Sequence, residues 1–217
     1  GYEAEYKAKE RISKYYFSLS VNSVMSRIVS SNISITGNEI TMKDLHKILF
    51  DVIDQYKRNN LEIIHYFPYQ YILDGNGGIK NPLGMYGEDL TCNMNVISIT
   101  SSHLLNFMKC IENFANESSA NYIVNTYAAG ISSLADDELQ NGVTFIEFGS
   151  CTTSISIFIY DTLIYSDAIA IGGSHITADI ARCLCIDLLS AERIKNLYGA
   201  VIATESDENE IITISLS

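Results

Sequence analysis

The stretch Val143-Thr-Phe-Ile-Glu-Phe-Gly-Ser-Cys-Thr-Thr-Ser154 decides how this chain is read. An apolar run enters a turn of small residues and leaves as a second β-prone run. A turn built from Gly149, Ser150, Cys151, Thr152 and Thr153 lets successive backbone N–H groups converge on one point. Small side chains keep that point open, and hydroxyls add donors. Those are the requirements of a phosphate cradle. An ordinary β-hairpin turn uses the same residue types, and on this stretch alone that is the favoured reading.

Working outward, Ser154–Tyr160 and Leu163–Ile171 are β-prone and joined by short turns, so with Val143–Phe148 they predict an antiparallel meander. The run Ile169-Ala-Ile-Gly-Gly-Ser-His-Ile-Thr-Ala-Asp-Ile180 follows. Its Gly172 and Gly173 permit a tight strand-to-helix turn beside a bound ligand. A helix is expected from about Ser174 to Cys185. A second runs from Asp187, the N-cap, to Tyr198, with Gly199 at the C-cap position. Within it Glu192 and Lys195 share a face at i, i+3 spacing. A carboxylate there suits ribose hydroxyls, and a lysine can lie along a base; a solvated surface pair is the other reading.

The first half reads differently. Glu3–Ile12 is a short charged helix, and Lys14–Val21 and Ile28–Ile35 are strands, the second closed by Gly37-Asn38. Thr41 opens a helix with Asp44 three residues on, a capping-box-like start. Leu45, Ile48, Leu49, Val52, Ile53 and Tyr56 form an apolar stripe that reads as core packing. Leu61–Leu73 is an aromatic-rich strand that Pro68 either bends or confines to an edge. Asp74–Gly78 reads as a flexible turn and Thr91–Thr100 as a strand. An amphipathic helix Ser102–Phe114, a short strand Tyr122–Val124, a helix Tyr127–Leu134 and a solvated acidic turn Asp136–Glu138 follow. Gln140-Asn141-Gly142 is the expected boundary between halves, and Glu210–Ile214 a last strand.

Composition narrows the function classes. The 217 residues are 47% hydrophobic and 18% charged, enough apolar material for a core. A net charge of −12 repels phosphate backbones, so no nucleic-acid partner is expected. No basic cluster points to a membrane-surface helix. The most hydrophobic region, Val143–Gly173, is interrupted by Glu147, Asp161 and Asp167 and reads as buried strands. Gly1–Arg11 is too charged for a signal peptide, and the starting Gly fits a processed chain or a piece of a longer one. A cytoplasmic location follows unless another segment anchors the protein. The five cysteines form no C-x-x-C pair and read as reduced, mostly buried thiols. His46, His65, His103 and His175 lack metal-ligand spacing, so no zinc site is expected.

The order strand, Gly-Ser-Cys-Thr-Thr loop, two strands, Gly-Gly-x-x-x-Thr-x-Asp-Ile-Ala, then Ala-Glu-Arg-Ile-Lys-x-x-Tyr-Gly resembles the actin-like ATPase superfamily, of mixed α+β and α/β class with a ribonuclease H-like fold. Within it, Asp179-Ile180-Ala181 and Ala191–Gly199 are similar to the FtsA cell-division family. A second block makes the resemblance specific. His65-Tyr-Phe-Pro-Tyr-Gln-Tyr-Ile-Leu-Asp-Gly75, followed by Gly78-Ile-Lys-Asn-Pro-Leu-Gly-Met-Tyr-Gly87, resembles the hallmark segment of the inserted FtsA subdomain called 1C. Filament formers such as MreB lack that segment, and pilus-assembly relatives match it less well. The resemblance runs from about Tyr6 to Ile214.

It implies that residues 1–14 end a helix of subdomain 1A, 15–100 are subdomain 1C, 101–141 return to 1A, and 142–217 open subdomain 2A with its phosphate loop. It implies ATP and Mg²⁺ in the cleft between halves, contacted by Gly149, Ser150, Cys151, Thr152, Thr153, Gly172, Gly173, Glu192 and Lys195. It also implies filaments formed by self-association through 1C, later division proteins bound through 1C, and FtsZ tethered to the cytoplasmic face of the membrane at the septum. The facing Asp-x-Gly-Ser/Thr hairpin is expected upstream of Glu3. The rest of the second domain, the FtsZ-binding surface and the membrane helix are expected beyond Ser217.

The loop departs from the family's usual Asp-Ile/Leu-Gly-Gly-Gly-Thr-Thr/Met-Asp. Glu147 replaces the first Asp, Ser150 and Cys151 replace two glycines, and Ser154 replaces the last Asp. If the loop needs positive φ, Ser and Cys strain it. Fewer carboxylates weaken water-mediated Mg²⁺ coordination. Weak nucleotide binding and little or no hydrolysis are therefore expected, with no catalytic residue named. The alternative is a non-enzymatic division assembly module with a decayed nucleotide site. A small-molecule kinase of the same superfold needs a catalytic base near a sugar pocket, and none stands out.

Overall fold

The structure is a computed structural model that describes residues 2–11, 14–35, 39–111, 120–202 and 211. The chain divides into two units, 1–146 with 154–168, and 147–153 with 169–217. This division does not fall as a single cut at Gly142. The Gly37-Asn38 turn, the end of the Ser102–Phe114 helix and, apart from Ile211, the strand at Glu210–Ile214 lie outside the described residues, as does Ile12.

In the first unit, α1 (Tyr2–Ala8) precedes β1 (Tyr15–Leu19). β1 pairs in parallel with β6 (Ala120–Val124), Tyr15 opposite Ala120 and Leu19 opposite Val124. Between them lies a strand–helix–strand–strand–strand module: β2 (Met25–Ser34), α2 (Met42–Arg58), β3 (Leu61–Leu73), β4 (Asn76–Ile79) and β5 (Asp89–Thr100). The sheet order is β2-β5-β3-β4, with every neighbouring pair antiparallel. β5 is central, and its alternation sorts the two faces. Leu90, Cys92, Met94 and Val96 pack with Ile48, Val52 and Tyr56 of α2, all buried. Each such side chain contributes roughly 1.5–3 kcal/mol against exposure.

Local chemistry explains the boundaries. Thr41 N–H and Thr41 Oγ1 both donate to Asp44 Oδ2, at 2.8 and 2.6 Å, which fixes the start of α2. Those bonds hold the Asp44 carboxyl below the usual carboxylate range. Pro68 does not confine β3 to an edge, because β5 pairs along its whole length; instead the register shifts between Pro68 and Gln70. β4 reaches only Tyr71 and Leu73, so the ladder on its side of Pro68 is open and no amide is missed there. Asp74–Gly78 is not a loose turn. Asp74 and Gly75 take φ of 50° and 79°, the left-handed pair that closes a β3–β4 hairpin. The acidic run Asp136–Glu138 is not a turn either. It opens helix α5 (Asp136–Asn141), where Ala135 N–H donates to Glu138 Oε2 at 2.9 Å. Carboxylates in the first turn face the positive end of the helix dipole.

α3 (Ser101–Ile111) and α4 (Asn125–Ser133) flank β6. β7 (Val143–Phe148), β8 (Thr153–Ile159) and β9 (Thr162–Ile169) form the expected three-stranded meander. Phe158 and Leu163 pack with Ile97, Val124 and Leu139 in the second buried cluster. Gly130 belongs to that packing, since a Cβ there would lie 2.4 Å from Phe158 Cζ. A buried polar chain runs through the same region. Asn95 Nδ2 donates to Leu163 O at 3.2 Å, and Ser26 Oγ donates to Asn95 Oδ1 at 2.8 Å. Ser166 N–H donates to Ser26 Oγ at 3.3 Å, while Ser166 Oγ lies 3.0 Å from Thr126 Oγ1. Of the five cysteines only Cys92 is buried, contrary to the expectation from composition.

His65 stands where the module meets β6. Its Nε2 accepts from Val124 N–H at 3.2 Å, and its ring lies 5.5 Å from those of both Phe67 and Tyr127. Burial lowers its pKa below the ordinary 6.5. The neutral ring is therefore the native form, and the unfolded chain binds the proton more tightly. This contribution is intact above the unfolded value and is lost as pH falls through the folded one. Urea unfolding followed from about pH 5 to about pH 7.5 will show stability rising with pH. His65→Gln, which keeps an acceptor but does not titrate, will flatten that rise; an unchanged slope contradicts the assignment.

Candidate functional site

The second unit contains the loop, α6 (Gly173–Leu184) and α7 (Leu188–Tyr198). Gly149 N–H donates to Thr152 O at 2.8 Å, which closes the turn. The carbonyls of Gly149 and Ser150 then accept from the first amides of α6: Gly173 N–H to Gly149 O at 3.0 Å, and Ser174 N–H to Ser150 O at 2.7 Å. Ser174 Oγ reinforces the second contact, 2.7 Å from Ser150 O. Thr153 Oγ1 donates to Ile171 O at 2.8 Å from the other side. Loop and helix start are thus one hydrogen-bonded piece.

With its carbonyls held by α6, the loop has amides left over. Among the described residues, the N–H groups of Ser150, Cys151 and Thr152 have no intramolecular acceptor. Ser150 and Cys151 are exposed and Thr152 is half-buried. Three adjacent unpaired donors on a short exposed turn are the kind of group from which backbone anion sites are built. The expectation that Ser150 and Cys151 strain the loop is corrected. No residue from Gly149 to Thr153 has positive φ, so the backbone tolerates side chains there. The Cys151 thiol lies 3.6 Å from Ser174 Oγ, and hydrogen bonding from Ser174 and then Ser150 draws it below the ordinary thiol value.

The two glycines after β9 differ in role. Gly172 is buried with φ of −159°, which any residue adopts. Its requirement is close approach: a Cβ would meet Gly149 O at 2.5 Å and Ser150 O at 2.6 Å. Gly172 N–H donates to His175 Nδ1 at 3.1 Å, which starts the helix. A Cβ on Gly173 would meet Lys195 Nζ at 3.4 Å and Gly149 O at 3.9 Å, both ordinary contacts, and so has room.

α7 brings Glu192 and Lys195 to the same place. Lys195 Nζ donates to Glu192 Oε2 at 2.7 Å, to Thr177 Oγ1 at 2.9 Å and to Gly173 O at 3.2 Å. An ammonium has three hydrogens, and all three are engaged. Thr177 Oγ1 in turn donates to Glu192 Oε2, and Asn196 Nδ2 donates to Glu192 Oε1 at 3.2 Å. Hydrogen bonding from Lys195, then Thr177, holds the Glu192 carboxyl below its usual range. The pair is therefore neither simply solvated nor free. The lysine's remaining offer to a ligand is its aliphatic stem, and the carboxylate's is spare acceptor capacity on Oε1.

All nine residues singled out from sequence fall within this one unit. Ser174, His175 and Thr177 were missed. Thr177 lies one helical turn after Gly173 on the same face as the lysine's target, and Ser174 holds the first-turn position after the glycine pair. Both positions were legible as polar residues at a helix start, though not their partners. For Mg²⁺, no group of three His, Cys, Asp or Glu converges among the described residues. Ser154, where the family has Asp, is buried and carries no charge.

The close approach at Gly172 gives a contrast. Gly172→Ala will displace the loop at a cost of roughly 1–3 kcal/mol, as overpacking does. Gly173→Ala will be near neutral, the alanine's better helix propensity offsetting a slight shift of Lys195. Chemical denaturation of the two variants measures this, and equal losses would refute the wedge role of Gly172.

Comparison with known proteins places these features. The model "SHS2 domain inserted in FTSA" matches residues 22–98, and "Cell division protein FtsA" matches 144–217. The chain is 36% identical to the cell division protein FtsA of Agrobacterium fabrum over 211 residues, covering 97% of this chain and 47% of that protein. It is 34% identical to that of Rhizobium meliloti, covering 97% and 48%. It thus spans about half the length of the curated relatives it matches. A PilM-PilN type IV pilus biogenesis complex superposes with a TM-score of 0.61 over 90% of this chain and 54% of that chain, at 17% identity. The fold is that of the actin-like ATPases with an inserted SHS2 domain, and among the described residues no helix is long and apolar enough to cross a membrane. By the two family models that together span most of its residues, and by identity along nearly its whole length, the chain belongs to the FtsA family of cell-division proteins.

Proposed function

We propose that this chain supplies one of two phosphate-gripping loops of an ATP-binding division protein, together with the inserted domain through which that protein assembles. The observation that carries the reading is the set of unpaired amides at Ser150, Cys151 and Thr152, fixed by carbonyl contacts to α6. In this reading the β- or γ-phosphate of ATP lies against those amides. The Lys195 stem and Glu192 flank the base and ribose. Mg²⁺ arrives with the phosphates, with Glu147 the acidic residue preceding the loop. The protein polymerises through the insert, binds later division proteins there, and links FtsZ to the cytoplasmic face of the membrane at the septum.

The domain assignment follows, with one refinement. Residues 101–141 belong to subdomain 1A and 142–217 to 2A. β1 pairs with β6 rather than with the insert sheet, so it is assigned to 1A, and 1C begins near residue 22. A second reading, an assembly module without nucleotide, is favoured by the engaged Lys195 ammonium and by the loss of a carboxylate at Ser154.

Calorimetric titration of the intact protein with Mg·ATP separates the two. The first reading expects saturable but weak binding, and at least a tenfold loss in Gly149→Val, whose side chain meets Thr152 O at 2.9 Å. Affinity unmoved by that change takes the loop out of the site. No binding at millimolar ATP leaves the assembly module as the function.

A further inference from the structure

A separate cleft lies in the first unit, and it shares no residue with the loop after β7. The β3–β4 hairpin and the β8–β9 hairpin face one another across a cleft of about 370 Å³. That is in the lower part of the range for small-molecule sites. Ile79, Ile159 and Ile164 make its apolar wall, and Tyr69, Gln70, Lys80 and Tyr160 bring polar groups to it.

The turn that presents Tyr160 is unusual. Tyr160 and Asp161 have φ of 52° and 61°, where a two-residue hairpin would ordinarily use Asn-Gly. A bulky residue held there is costly, and such strain persists only where the surroundings over-determine it. Here they do. Asp161 N–H donates to Leu139 O at 3.1 Å and Tyr160 N–H to Gln140 O at 3.4 Å. Gln140 Nε2 donates to Asp161 Oδ2, and Thr162 Oγ1 to Tyr160 O at 3.1 Å. The outcome is a tyrosine 55% exposed, with Lys80 Nζ 3.7 Å from its ring centroid.

Every one of the polar side chains can donate. Lys80 has no carboxylate partner among the described residues, and the aromatic face occupies only one side of its ammonium. Gln70 Oε1 is taken by Asn93 Nδ2 at 3.0 Å, which fixes the amide and leaves its NH₂ as the free end. The tyrosine hydroxyls also donate. A site of donors with one cation and apolar walls selects an acceptor of charge −1 on an apolar body. A dianion such as a phosphate monoester would need a second cation, and a neutral apolar ligand would leave Lys80 and Gln70 unanswered. We infer that this cleft binds a small monoanionic carboxylate carrying an aromatic or aliphatic body, with the carboxylate on Lys80 and Gln70 and the body between Tyr160 and the isoleucines.

The probe is 4-phenylbutyrate, with its neutral alcohol 4-phenyl-1-butanol as control, titrated into the intact protein labelled at isoleucine δ1 methyls. Saturable shifts confined to Ile79, Ile159 and Ile164 are expected, with the carboxylate binding at least tenfold more tightly than the alcohol. Lys80→Met will erase that preference, and Lys80→Arg will keep it. Equal affinity for acid and alcohol overturns the proposal, whatever the variants do. So does a preference that survives in Lys80→Met, or shifts that appear instead at exposed isoleucines such as Ile28 and Ile131.

Discussion

The contact between two loop carbonyls and the first amides of a helix organises the second unit. Gly149 and Ser150 accept from Gly173 and Ser174. That bond pair decides which way the loop's peptide planes face. Carbonyls turned toward α6 leave amides turned away from it, and a short turn has no other acceptors for them. Gly172 is the condition for this contact, because any side chain there would occupy the space of the loop's carbonyl oxygens. Gly172 thus serves loop geometry first, and any ligand only through it.

The same logic governs α7. A lysine near a helix N-terminus opposes the dipole unless it has acceptors of its own. Lys195 has three, one of them the Gly173 carbonyl, and Thr177 relays the contact to Glu192. The result ties α7 to the start of α6 by a network that includes a charged pair. In the first unit a buried chain through Asn95, Ser26 and Ser166 joins the inserted sheet to the β8–β9 hairpin in a comparable way. Buried polar groups that are satisfied specify one arrangement, since a shift would leave each unpaired.

Much of this was legible in the sequence. The period of α2, its Thr41–Asp44 start, the three-strand meander and the Asp187 cap of α7 each follow from local rules. The loop and the glycine pair were found because strand, small-residue turn and strand-to-helix turn recur in order. Two of the errors lay within reach of local rules: Asp74-Gly75 closes a hairpin through its left-handed φ pair, and Glu138 reaches back to Ala135 to start a helix. The exposure of four cysteines depends on where tertiary contacts stop. The engagement of Lys195 could not be read, because spacing shows which face a residue takes and not how many acceptors meet it there. The supposed strain at Ser150 and Cys151 assumed a φ that the family's glycines permit but this loop does not use.

The central claim is that the loop's carbonyls are held by α6 while its amides await an anion. Amide-resolved hydrogen exchange on the intact protein, with and without saturating Mg·ATP, tests it most directly. Without nucleotide, Gly173 and Ser174 should exchange slowly while Ser150 and Cys151 exchange freely, and nucleotide should slow the latter pair. Fast exchange at Gly173 and Ser174, or loop amides indifferent to bound nucleotide, would contradict the account.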